Sequence, residues 1–253
     1  MTDLLTNPWF YAAAIPAVMM IGLSKGGLAG LGVLAVPIMS LAISPVLAAG
    51  LTLPILVISD VVAVVAYRRH FDLTTLKDML PAAVIGIGLG WVTAAWVSDD
   101  IVRLIVGVIS VLFALNYWFR ERLTPHASER SPARAGLWGV VAGYTSFVSH
   151  SGGAPFQLYV LPRRFDPPVY AGTSVLFFAI VNAVKLVPYY FLGQLQMRNL
   201  EVSAVLAPIA IVAALLAVWV VKVVDPKLFY GFTYVMVFVI GMVLVGQAAV
   251  GLL

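Results

Sequence analysis

Two short blocks hold the residues best suited to chemistry: Ser24-Lys25-Gly26-Gly27 and Ser149-His150-Ser151-Gly152-Gly153. Each places a basic side chain and hydroxyls beside paired glycines, inside a long apolar run. Glycine lets the chain turn sharply, and a helix that restarts there presents backbone N–H groups without intrahelical partners. Such a terminus carries about half a positive charge and suits an anion. Lys25 adds a full charge at a depth where it costs roughly 2.5–3.5 kcal/mol on insertion scales, because apolar residues extend to both sides of it. His150 and the flanking hydroxyls offer hydrogen bonds to an oxyanion, and an imidazole titrates near neutrality. The chemistry these residues fit is anion binding, with Ser24, Lys25, Gly26, Gly27, Ser149, His150, Ser151, Gly152 and Gly153 as the substrate-binding set.

Other polar residues lie within apolar runs. Asp60 and Lys185 are ionisable groups at membrane depth, where partners are usual, and Asn182 stands one helical turn from Lys185 on the same face. Asp60, Asn182 and Lys185 form a coupling or structural set: Asp60 carries a coupled proton or balances a lysine, Lys25 being the natural partner. Thr52 and Ser174 join the binding set, with Thr173 beside them; their hydroxyls line a pocket or bond their own helix backbone. The spacing of Gly22, Gly26 and Gly30 also suits close helix packing, and a lone membrane histidine is often a satisfied packing residue. Gly86-x-Gly88-x-Gly90 has no strand before it and reads as packing. The sequence has three histidines and no cysteine, and His70 and His126 fall in loops, so no metal centre or cofactor is expected. Adjacent residues such as Ser149 and His150 rarely make a nucleophile–base pair, since catalytic partners come from different segments.

The elements that must hold these residues are membrane helices. The 253 residues are 62% hydrophobic and 10% charged, with a mean hydropathy of +1.03. Runs long enough to span a bilayer occur at Val46–Tyr67, Met79–Val97, Ile101–Phe119, Val169–Leu192, Val202–Val221 and Leu228–Leu252. The net charge of +4 sits in short loops and is no nucleic-acid footprint. Met1-Thr2-Asp3 lacks a basic leader, so the first apolar segment is expected to be retained.

The chain divides at its longest polar stretch into a first repeat (1–119), a cytoplasmic linker (120–135) and a second repeat (136–253). Ser24–Pro37 matches Ser149–Pro162, and the run from Pro45 to Thr52 matches that from Pro167 to Ser174. The same register sets Asp60 opposite Asn182 and Tyr67 opposite Tyr189. If Pro8–Ile43 and Gly136–Pro162 each cross once, loop Lys and Arg split about eight to five. If each folds back at its glycine break, the split is about eleven to two, which the positive-inside rule prefers. The expected fold is therefore all-α and polytopic, with two inverted repeats. Each is a Gly-broken hairpin plus three transmembrane helices, about eight hydropathy segments in all, and both termini face the periplasm.

At these residues the chain resembles the TauE/SafE family of sulfite exporter-like permeases of bacterial inner membranes. The resemblance rests on the Gly-rich break followed by Pro37 and on the pair Ala49-Gly50-Leu51-Thr52 and Ala171-Gly172-Thr173-Ser174. The basic-aromatic loop Tyr67-Arg68-Arg69-His70-Phe71-Asp72 completes it. It implies transport of a small sulfur-containing anion, such as sulfite, sulfoacetate or a related organosulfonate, across the inner membrane. Lys25, Gly26 and Gly27 then belong to the first break, and His150, Gly152 and Gly153 to the second. The expectation is a non-enzymatic secondary transporter working by alternating access, with protons as a possible coupling ion through His150 or Asp60. The lipid bilayer is its surroundings and nucleic acid no partner. An anion channel of the same selectivity is the alternative, and an intramembrane serine hydrolase a remoter one.

Overall fold

The computed structural model describes residues 4–25, 31–94, 96, 98–120, 130–160, 163, 165–220 and 226–252. Among them there is no strand. The helices are α1 (Pro8–Lys25), α2 (Ala35–Met39), α3 (Pro45–Tyr67), α4 (Leu73–Ala94), α5 (Asp99–Arg120), α6 (Pro132–Ser149), α7 (Gly153–Val160), α8 (Pro167–Phe191), α9 (Met197–Val220) and α10 (Pro226–Leu252). The segments α3, α4, Pro168–Phe191 and Met197–Leu216 are long and apolar enough to cross a membrane. Ile85, Leu89 and Val92 on α4 and Val212 and Leu215 on α9 are exposed, as helices solvated by lipid require. Residues 121–129 of the expected linker lie outside the described residues, as do Gly26 and Gly27.

Proline and a capping residue start the long helices. Ser44 accepts from the Leu47 N–H at 3.3 Å ahead of Pro45, and Ser131 accepts from the Arg134 N–H ahead of Pro132. Helix α4 begins at Leu73, six residues before the apolar run expected from Met79. Asp72 is the reason: its carboxylate accepts from the Thr75 N–H at 2.7 Å and from the Thr75 hydroxyl at 2.6 Å. A cap thus carries the helix through Lys77 and Asp78, which hydropathy alone treats as loop.

The second glycine break reverses the chain. A Cβ on Gly152 would meet the Ala142 carbonyl at 2.6 Å and Ser146 at 2.8 Å, so the residues after α6 lie back against α6. Arg130, just before α6, pairs with Asp78, while Arg163, just after α7, bonds Asp72 and Thr75. Both ends of the α6–α7 segment therefore lie at the start of α4, which makes it a hairpin rather than a single crossing. Beyond the first break, Gly32 packs against Ser24 of α1.

The most extensive packing pairs α4 with α6, α5 with α10, α1 with α9, and α3 with both α8 and α9. Glycines set the closest approaches: Gly143 packs onto the Ala83 backbone, Gly86 onto Val140, and Gly22 onto Ala210. Contacts rise together along α4 and α6 (Met79 with Gly139, Gly90 with Phe147), so these two run parallel. Helices α3 and α8 run antiparallel. Gly50 near the start of α3 touches Gln194 just past α8, Gly172 near the start of α8 touches His70 just past α3, and Asp60 meets Asn182 between. Helices α5 and α10 also run antiparallel, with Gly251 against Asp100 and Phe238 against Trp118.

Candidate functional site

The crossing of α3 and α8 gathers most of the ionisable groups that sequence placed at membrane depth. Asp60 projects from α3 and accepts from two directions: the Lys25 ammonium at the end of α1, and Asn182 Nδ2 on α8 at 2.6 Å. Asp60 and Asn182 are each 3% exposed, and Lys185, one turn further along α8, is fully buried. The Lys185 ammonium reaches the Ser146 carbonyl at 2.9 Å, the Ser146 hydroxyl at 3.1 Å and His150 Nδ1 at 2.6 Å. An ammonium has three protons, and here each has an uncharged acceptor.

His150 Nε2 lies 3.0 Å from the Ala49 carbonyl of α3, and Nδ1 lies 3.2 Å from the Ser146 carbonyl and 2.6 Å from the Lys185 ammonium. The imidazole thus ties α6, α3 and α8 together, with Tyr189 stacked beside it at 6.1 Å. The backbone achieves this by an uncommon turn. His150 ends α6 with φ 55° and ψ 22°, the left-handed conformation usual for glycine at a helix end. The turn swings the ring back across α6 and sends the chain into α7.

This geometry yields a test. Alanine at position 150 keeps the left-handed strain and loses the ring, whereas glycine loses the ring and relieves the strain. We expect His150→Gly to melt above His150→Ala, by roughly 1 kcal/mol of stability, with transport impaired in both. Equal transport by the glycine variant and the wild type would remove the imidazole from the site.

The remaining expected residues divide. Lys25 lies at the end of α1 and takes up the ion pair with Asp60. Ser24 donates to the Ile21 carbonyl at 2.7 Å. Ser149 and Ser151 are fully buried and bonded to each other at 3.0 Å and to the backbone carbonyls of Thr145 and Ser149 respectively. Neither of these hydroxyls bonds to the imidazole, whose nitrogens face Ser146, Ala49 and Lys185, so Ser149 and Ser151 make no serine–histidine pair with it. Gly152 packs against Ser146 and Gly153 opens α7, beside free space. Phe156 seats α7 on α8, its ring 4.9 Å from Phe177 and 5.5 Å from Phe178.

Thr52 and Ser174 stand eight residues from Asp60 and Asn182, about 12 Å along their helices, and are not brought into the charged cluster. Thr52 bonds the Ala48 and Ala49 carbonyls, sharing the latter with His150. Ser174 is half-buried, and its neighbour Thr173 accepts instead from the Asp72 N–H at 2.8 Å. Among the described residues no three of His, Asp and Glu cluster as metal ligands.

Three contributors were not singled out from sequence: Ser146, the Ala49 carbonyl and Tyr189, whose hydroxyl donates to the Phe147 carbonyl at 2.6 Å. Ser146 lies one helical turn before His150, a spacing that places both on one face; the carbonyl leaves no trace in side-chain pattern. Among the described residues the centre sets two lysines, Lys25 and Lys185, against the one carboxylate of Asp60, and the contacts of Lys185 are to Ser146 and His150 alone.

The family model described as sulfite exporter TauE/SafE matches residues 14–244, nearly the whole chain. No curated protein and no solved structure matches.

Proposed function

This chain belongs to the sulfite exporter TauE/SafE family, a family of membrane transporters, and we propose that it is a secondary transporter of a small sulfur-containing anion. Sulfite, sulfoacetate or a related organosulfonate is the substrate class. The observation that carries this reading is the gathering of two lysines around one carboxylate where α3 crosses α8, with Lys185 held by Ser146 and His150 and by no counter-ion of its own. Burying an unpaired charge costs several kcal/mol, and an anion that enters offsets that cost. The substrate's oxyanion sits between Lys185, His150 and the first turn of α7 after Gly152 and Gly153, whose N–H groups complete the cradle. Lys25 contributes its field from the other side of Asp60, and Gly26 and Gly27 are the counterpart break. His150 and Asp60 are the groups able to carry a coupled proton.

We read residues 1–119 and 136–253 as inverted repeats joined by a linker over 120–135. The antiparallel pairs α3/α8 and α5/α10, each joining sequence-equivalent helices, support that reading. Alternating access then opens the crossing first to one side and next to the other. The tight pairs α1/α9 and α4/α6 join helices of different halves, so the bodies that move each combine helices from both. Arg130 and Arg163 meet Asp78 and Asp72 at the same end as Arg68 and Arg69, which supports reading that end as the cytoplasmic side of an inner membrane. Both termini then face the periplasm. A reporter fused to Leu253 should be active only if it works in the periplasm; activity of a strictly cytoplasmic reporter would reverse the orientation.

The experiment for function is counterflow. Liposomes preloaded with unlabelled sulfite should transiently accumulate labelled sulfite through the purified protein, and the uptake should saturate. Conductance far above carrier turnover would instead make the protein a channel, and no sulfur anion moving at all would end the proposal.

A further inference from the structure

Helix α6 ends within the charged centre, and the last carbonyls of a helix need partners from outside it. The Ser151 N–H, which a continuing helix would give to the Phe147 carbonyl, goes instead to the Thr145 carbonyl at 3.2 Å, after the left-handed turn at His150. Helix α8 supplies what the turn withdraws. Its Lys185 ammonium donates to the Ser146 carbonyl at 2.9 Å, and its Tyr189 hydroxyl donates to the Phe147 carbonyl at 2.6 Å. Residues 185 and 189 stand one turn apart on one helix face, so a single face of α8 holds two successive carbonyls at the end of α6. Tyr189 is 1% exposed. Its ring stacks on the His150 imidazole with the two planes 27° apart, and meets the Phe147 ring edge-on at 5.3 Å.

We infer that Tyr189 is a positioning residue of the anion site, acting through His150. The inference deepens the carrier reading above and rests on it. A left-handed backbone at a residue other than glycine persists only where its surroundings over-determine it. Tyr189 works on that turn from two sides. Its hydroxyl pins the carbonyl three residues before His150, and its ring lies along the face of the imidazole that the turn presents. The hydrogen bonds of His150 hold the edge of its ring; a flat neighbour against the face holds the plane. A binding group is only as precise as the shell that supports it, so loosening Tyr189 costs affinity for the anion as well as stability. The hydroxyl is the more telling half of the side chain. Packing alone does not call for it, since phenylalanine fills the same space, whereas the Phe147 carbonyl does.

The test uses Tyr189→Phe, which removes the hydroxyl alone, and Tyr189→Leu, which removes the ring as well. Sulfite affinity is measured by calorimetry on the purified full chain in nanodiscs, and folding by the melting profile. The imidazoles are read by NMR with isotope-labelled histidine. The chain has three histidines, and the signal missing from His150→Gly is that of His150; His70 and His126 serve as references. Tyr189→Phe should bind sulfite roughly threefold to tenfold more weakly, the size of one neutral hydrogen bond, and Tyr189→Leu more weakly still. In both, the His150 signal should move before any sulfite is added, with the other two in place. A lowered melting temperature with wild-type sulfite affinity would make Tyr189 a packing residue and overturn the inference. So would weakened affinity with the His150 signal unmoved, since Tyr189 would then act by another route. Wild-type protein that binds no sulfite, or binds it without moving the His150 signal, would instead bring down the site reading above, and the role of Tyr189 with it.

Discussion

Replacing Lys185 with methionine is expected to lower sulfite binding and transport by about 30-fold or more, while the ligand-free protein melts close to the wild type. The two halves of this result have different causes. Truncating a buried, hydrogen-bonded charge that faces a charged ligand costs 2–5 kcal/mol or more of binding, and 2 kcal/mol is nearly 30-fold. In the absence of ligand, however, Lys185 has only neutral partners in Ser146 and His150. An ammonium there would have no counter-ion, and methionine fills a similar length without one. The Ser146 carbonyl still receives the His150 N–H at 3.1 Å, so methionine strands few groups. Melting with and without sulfite reads both effects in one experiment. Should Lys185→Met unfold the ligand-free protein, Lys185 is a structural residue; should sulfite still stabilise it fully, the anion sits elsewhere.

Asp60→Ala should behave in the opposite way. Asp60 is the one carboxylate at the crossing, and it engages Lys25 and Asn182 together. Its removal leaves Lys25 without its counter-charge and Asn182 without its acceptor. Breaking a buried pair by deleting one partner destabilises by about 3–5 kcal/mol, so this variant should show a large fall in melting temperature before any question of transport arises. The double substitution Lys25→Met with Asp60→Leu removes the pair together and should recover most of that loss, because an apolar pair of similar volume is often as stable as the ions it replaces. Stability unchanged in Asp60→Ala would mean that the ion pair does not hold α1 to α3.

Much of this arrangement was readable in the sequence, for a physical reason. Lipid offers backbone and charge no partners, so every polar residue in an apolar run must find one inside the protein. That constraint alone made Asp60 the natural companion of Lys25, and the repeat register set Asp60 opposite Asn182; both contacts are present. The second glycine break announced a turn, and the α6–α7 hairpin is the arrangement that the charge distribution favoured there. What hydropathy missed was made by hydrogen bonds. The cap at Asp72 starts α4 early, and the Ala49 carbonyl that orients His150 belongs to no side chain. The pairing of Lys185 with Ser146 and His150, rather than with a carboxylate, depends on the left-handed turn at residue 150, which no periodicity encodes. For Thr52 the sequence left open a pocket hydroxyl or a bond to its own helix, and its hydroxyl bonds the Ala48 and Ala49 carbonyls of that helix.

The cross-packing of α1 with α9 and of α4 with α6 bears on how the protein is made. A ribosome that has delivered the first 120 residues has inserted α1 and α4 with the grooves at Gly22 and Gly86 still facing lipid, because the helices that fill them arrive later. Assembly cannot proceed segment by segment in the order of synthesis. The early helices must wait in the bilayer, individually stable but unassociated, until the late ones are threaded beside them, and that interval is when a quality-control protease or insertion factor would find the nascent chain most open to it.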